Sequence, residues 1–126
     1  MDCFYALKYS KIYSKDLALE AMTAIDNFFK GKHFNSDETG DSLKTYLDFL
    51  DIIKNESNLS ALITEKFSSA KTSIESLDNN FALQLEQDYI KVLGTYDAIQ
   101  VGVVLLKVDM LQALSINVDY TDADGD

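Results

Sequence analysis

The last third of the chain, Phe81–Asp126, constrains the fold more than any other stretch. It reads FALQLEQDYIKVLGTYDAIQVGVVLLKVDMLQALSINVDYTDADGD. It begins with amphipathic spacing, becomes almost wholly apolar over Val101–Leu106, and closes in an acidic tail. A helix that is apolar all round belongs in the interior of something. The expectation is one helix from about Phe81 to Leu114, the spine around which earlier helices pack. At 1.5 Å per residue it would run roughly 50 Å if unbroken. Val101, Val103, Val104, Leu105 and Leu106 also fit a buried strand. No partner strand of comparable quality exists elsewhere in the sequence, which favours helix. Ile116, Val118 and Tyr120 alternate with polar residues and predict a short extended tail.

The upstream text agrees with helix. The chain has no proline and five glycines among 126 residues, a composition that suits long helices better than a turn-rich β fold. Residues 2–31 carry a first helical pattern. Tyr5, Tyr9 and Tyr13 form one ridge at four-residue spacing, and Leu17, Met22, Ile25, Phe28 and Phe29 continue an apolar face. Ser14 with Asp16 also reads as a fresh helix start. GKHFNSDETGD, residues 31–41, has the chemistry of a loop. Asp41 is placed to cap a second helix through Leu43, Tyr46, Leu47, Leu50 and Ile53, fading at Asn55–Asn58. Ser57 or Asn58 then caps a third. In it Leu59, Leu62, Ile63, Phe67, Ala70, Ile74 and Leu77 keep a 3.6-residue period, opposite a polar face that includes Lys71. Asp78-Asn79-Asn80 makes the next turn. The expected fold is all-α, an up-and-down four-helix bundle in a single domain over 1–126, with a long C-terminal helix and a short extended acidic tail.

Charge and cysteine content exclude several function classes. The formal net charge is −10. Phosphate neutralisation, the main source of nucleic-acid affinity, is therefore not expected. An anionic membrane surface is an equally poor partner. Cys3 is the lone cysteine, so neither an intrachain disulfide nor a cysteine zinc site is available. Met1-Asp2-Cys3 lacks the pattern of a signal peptide. Lys107 and Asp109 interrupt the longest apolar run, so no membrane span is expected. The chain should be soluble, with any export signal lying outside it.

Candidate chemistry is sparse. His33 is the single histidine and sits in the polar loop with Asp37 and Glu38; weak metal or proton chemistry competes there with plain solvation. Asp97 and Asp109 lie in the apolar helix, where a buried carboxylate needs a partner or stays protonated. The simple expectation is rim carboxylates paired with Lys107 or Lys91. Asp122 and Asp124 echo the centre of a calcium loop. Tyr120 stands where an oxygen ligand belongs, and no closing glutamate comes after it. There is no phosphate loop, zinc-protease helix or nucleophile elbow, so no residue is assigned to catalysis or to a cofactor. Gly94, Ala98 and Gly102, four apart, form a small-residue ridge that would let another helix approach closely.

YDAIQVGVVLLKVDMLQALSINVDYTDADGD resembles the C-terminal end of bacterial imelysin-like proteins, which close with text like LQ…VVLLKxDxxxALGVxxxYxDxDGD. NLSALITEKFSSAKTSIESLDNNFALQL is similar through a Leu-rich helix, a turn and Phe. The resemblance implies an all-helical protein of two related bundle-like halves, of which this chain is the second. It implies a lipoprotein or exported protein of the bacterial periplasm or envelope. The family is often iron-regulated, has been classed as peptidases and is linked to iron or haem uptake. Its GxHxxE marker belongs to the first half. Here Gly31, Lys32 and His33 match its opening and Ser36 stands in place of the glutamate, so the family's metal and peptidase functions do not transfer to this chain. A half cut from such a protein should expose an apolar face. The ridge Tyr5/Tyr9/Tyr13 or the ridge Gly94/Ala98/Gly102 is expected to cover a partner, either the missing half or a second copy. The alternative from the residues alone is a small acidic helical protein that binds and inhibits a basic protein.

Overall fold

The computed structural model describes residues 12–117. Tyr5, Tyr9, Asp122 and Asp124 lie outside the described residues, as does most of the expected extended tail. Within them, helix α1 (Ser14–Lys30) starts at Tyr13 and ends where Gly31 turns left-handed with φ 67°. The Gly31 amide donates to the Phe28 carbonyl (3.1 Å) and the Lys32 amide to that of Asn27 (2.8 Å), which closes the helix end. Gly31 is required twice over. A Cβ there would also sit 2.7 Å from Ser42 Cβ. The next loop folds back on itself: Lys32 faces Thr39 in an antiparallel bridge, and the His33 amide donates to the Glu38 carbonyl at 3.0 Å.

Helix α2 (Leu43–Leu50) is capped by Ser42, one residue after the expected Asp41. The Thr45 amide donates to Ser42 Oγ (3.1 Å) and the Ser42 amide to Thr45 Oγ1 (2.8 Å), a reciprocal cap that satisfies two orphan donors. The expected run to Ile53 stops early, at Asp51 with φ 48°. A hairpin replaces it, β1 (Ile53–Lys54) against β2 (Ser57–Asn58), with Ile53 opposite Asn58 and Lys54 opposite Ser57. At its tip Asn55 (φ 50°) and Glu56 (φ 64°) are both left-handed, the geometry that matches a two-residue turn to the twist of its strands.

Helix α3 (Leu59–Glu75) is the centre of the fold. Asn58 Oδ1 accepts the Ser60 amide at 2.9 Å and sets its start. Leu59, Ile63, Phe67, Ala70 and Ile74 are buried along one face, with Leu77 just beyond the helix end. This is the face read from the sequence. α3 packs on α1, α2 and the last helix. Phe29 of α1 meets Phe67 edge-on, centroids 5.8 Å apart and planes at 88°, the favoured arrangement of two aromatic quadrupoles. Met22, Leu47, Leu105 and Met110 complete the core. The spine is therefore α3, and the expectation that the last helix plays that part is corrected.

That last helix is also divided. α4 (Phe81–Gln87) begins at Asn80, whose Oδ1 accepts the Ala82 and Leu83 amides at 3.1 and 3.2 Å. Asp88 leaves helical geometry, with φ −153° and ψ 81°, and caps α5 (Tyr89–Val104) by accepting the Lys91 amide at 3.1 Å. The rod continues as a π-helical turn over Leu105–Met110 and a last short α6 (Leu111–Ala113). The Val101–Leu106 run is thus helical. Tyr89–Ala113 is 25 residues long and, by length and composition, long and apolar enough to cross a membrane. The qualifying stretch is the one before Lys107, with Lys91 and Asp97 its charges; Lys107 and Asp109 do interrupt the apolar run, as read from the sequence, but leave enough of it ahead of them. Overall the described residues are mostly helical, with one two-stranded hairpin.

Candidate functional site

Two faces of α5 behave differently. The inner face packs on α3, with Thr95 and Gly102 buried. Gly102 lies over Phe67; a Cβ there would be 3.4 Å from two ring carbons. The outer face carries Ile90, Leu93, Tyr96, Val101 and Val104, all exposed, and Val108 continues it. Ile90 is 73% and Val104 51% exposed, values at odds with a core spine. A surface helix of a self-sufficient domain turns mostly polar residues outward, whereas this one exposes several large apolar side chains beside Lys91 and Asp97. Single exposed apolar residues are ordinary, but a contiguous stripe marks a surface that something covers.

The small-residue ridge divides between these faces. Gly102 serves the chain's own α3–α5 contact. Ala98 is half-buried. Gly94 is exposed, and a Cβ built on it would meet no atom within 4 Å. Tyr13 is exposed at the start of α1. Asp97 is exposed on the outer face and, among the described residues, has no hydrogen bond or ion pair.

Asp109 is placed quite differently. It sits in the π-helical turn and pairs through Oδ1 with Lys54 of the hairpin. Its side chain is 16% exposed. Its Oδ2 is buried without a donor among the described residues. A groove of about 420 Å³ opens beside the pair, lined by Ile52, Ile53, Leu59, Gln112 and Ala113. A π turn inserts a residue into the helical repeat and re-aims the side chains beyond it, and such turns recur at functional positions. The expected pairings with Lys91 and Lys107 are not made: Lys91 donates to the Ser76 carbonyl.

The His33 loop forms one wall of a second, open groove of about 660 Å³, whose other walls include Glu20, Asn27 and Phe28. His33 and Glu38 are both exposed and are joined through backbone only. Asp37 pairs with Lys32 at 3.1 Å. Among the described residues no group of three His, Cys, Asp or Glu side chains could hold a metal ion.

One charged cluster escaped the sequence reading. Asp26 of α1 is buried and its Oδ2 accepts from Lys30 Nζ (3.0 Å) and Lys71 Nζ (2.8 Å). Oδ1 lies 2.9 Å from Lys30 Nζ, an ion-pair contact outside hydrogen-bond geometry. Burial pushes this carboxyl upward, but the two lysine hydrogen bonds outweigh it and hold it below the usual carboxylate range. Lys71, assigned from the sequence to the solvent face of α3, thus ties α3 to α1. Only the Asp26–Lys30 spacing of four was visible beforehand. Asp48 is also held low, first by the Lys44 hydrogen bond and then by Ser60, which donates to it from the start of α3.

In comparisons with protein-family models, curated proteins and solved structures, nothing matches this chain.

Proposed function

We propose that the chain is a non-catalytic helical module of an imelysin-like envelope protein, and that its task is docking. In this reading the outer face of α5 lies against the half that carries the GxHxxE motif. The four-helix bundle of the sequence expectation is then α1, α2, α3 and α5 closed over by that partner. The assembled protein would act in iron- or haem-linked binding or uptake at the periplasmic face. The observation that carries the reading is the outward apolar stripe Ile90, Leu93, Val101, Val104, Val108 on a helix whose other face already packs on α3. The resemblance of the closing segment points to the partner, and the separate placement of His33, Asp97 and Asp109 suits a module without chemistry of its own. The alternative, inhibition of a basic protein, draws on the net charge of −10 but gives the apolar stripe no role.

Sedimentation velocity tests the proposal. The chain is mixed with a separately expressed GxHxxE-bearing half of an imelysin-like protein. A one-to-one complex is expected, lost in Val104→Glu while the helical circular dichroism is kept. A chain that ignores the half-protein, with Val104→Glu indistinguishable from wild type, overturns it.

A further inference from the structure

The outer face of α5 is mostly apolar; Asp97 is its one charged residue, central to the stripe, with half-buried Gln100 a turn beyond it. Asp97 has Leu93 one turn before it and Val101 one turn after it, with Ile90 and Val104 seven residues away on either side. Residues four apart on a helix are surface neighbours. All of these side chains are exposed, and Asp97 has no partner among the described residues. Covering this stripe with a purely apolar partner would strip water from the carboxylate and return nothing, a strongly unfavourable exchange. Beside it, Gly94 lies three residues earlier with open space where a side chain would stand. Mid-helix glycine is unfavourable unless something gains from the missing Cβ, and nothing within the described chain does. Gly94 therefore leaves room beside Asp97 for an incoming side chain.

We infer that the partner seated on α5 is a helical protein segment, apolar on its contacting side and carrying one lysine or arginine whose stem crosses Gly94 to pair with Asp97. The inference rests on the docking role proposed above and adds the chemistry of the occupant. Other occupants fit less well. A second copy brings another −10 of charge and its own Asp97 to the same face, and like charges across an interface oppose association. A bilayer would cover the stripe but would have to take in Asp97 with no cation supplied.

The test uses the full 126-residue chain and a pair of designed amphipathic helical peptides with a Leu/Ala face. One has a central arginine and its twin has glutamine there. Binding is followed by fluorescence anisotropy at two salt concentrations. The expected result is that the arginine peptide binds about five-fold or more tightly than its twin, by an advantage that salt weakens and that charge pairing at a covered site supplies. The advantage should vanish in Asp97→Asn, and Gly94→Leu should weaken the arginine peptide more than the glutamine one. Asp97 and Gly94 are solvent-facing, and unchanged circular dichroism of both variants confirms that folding is intact. Equal binding of the two peptides, unaffected by Asp97→Asn, overturns the inference and leaves the docking face standing. No binding of either peptide, with Val104→Glu without effect on any association, overturns both.

Discussion

Replacing Asp26 by asparagine keeps the shape of the side chain and removes the charge that Lys30 and Lys71 share. The carboxylate side chain is 11% exposed and the two lysines 34% and 24%. Breaking a fully buried pair from one side costs about 3–5 kcal/mol. The lysines here are partly solvated and can turn to water, so a loss of about 2–3 kcal/mol at neutral pH is the reasoned magnitude. With a urea slope of about 1–3 kcal/mol/M for a small domain, the midpoint should fall by roughly 1–2 M. The pH dependence is the sharper part. Asp26 is held below the usual carboxylate range in the folded protein, so its contribution is fully present above the unfolded pKa of about 3.9. It is lost as pH falls through the lower, folded value. Urea unfolding of wild type and Asp26→Asn, followed by circular dichroism from pH 7 downward, should therefore give two stability curves that run parallel and then converge in acid. A gap that stays constant into strong acid, or no gap at neutral pH, refutes the assignment of stability to the Asp26 charge.

Three further outcomes rest on the same contacts. Phe67→Ala removes the ring that Phe29 and Gly102 both touch and should cost about 3–5 kcal/mol in urea unfolding. Lys54→Met strands Asp109 inside the groove and should destabilise by about 2–4 kcal/mol, whereas the double variant Lys54→Met/Asp109→Leu should recover most of that loss, because an apolar pair can replace a buried ion pair. Calorimetric titration with ferric iron, zinc and calcium should give the same result for wild type, His33→Ala and Glu38→Gln; a weakened metal response in either variant would restore the loop as a metal site.

Side-chain periodicity made α3 legible nearly residue by residue. Leu59, Ile63, Phe67, Ala70, Ile74 and Leu77 are all buried, because a helix that contacts neighbours on one side leaves that stripe in its own sequence. The caps were legible to within a residue for the same local reason: Asn58 is the cap of α3, and Ser42 rather than Asp41 that of α2. What failed was non-local or depended on strain. The Asn55-Glu56 turn places a glutamate at φ 64°, a conformation that Glu does not advertise, so the hairpin was read as the frayed end of α2. The break at Asp88 was hidden because one aspartate both ends α4 and caps α5. The apolar text of α5 correctly signalled a helix, though not one enclosed by the chain, since Ile90, Leu93, Val101 and Val104 are exposed. It carried no information on whether the cover belongs to the same chain, and hydrophobicity alone cannot, since burial against α3 and burial against a partner leave the same composition.

The two aspartates of the last helix show where that missing information resides. Asp97 and Asp109 stand in similarly apolar text, and the sequence offered both the same partners, Lys91 and Lys107. Neither pairing is formed. Asp109 is neutralised by Lys54, 55 residues away along the chain, because the left-handed tip at Asn55-Glu56 turns the hairpin back and the π-helical turn presents the carboxylate to it. Asp97, twelve residues earlier, lies on the face that no element of the described chain reaches. One carboxylate is thus explained by the fold and the other is not, although a carboxylate on a mostly apolar face is tolerable only while water reaches it or a cation does. Covering α5, as the docking proposal requires, would remove the water. That proposal therefore calls for a cation from outside the described chain, and a lysine or arginine opposite Asp97 would distinguish a specific partner from any apolar surface.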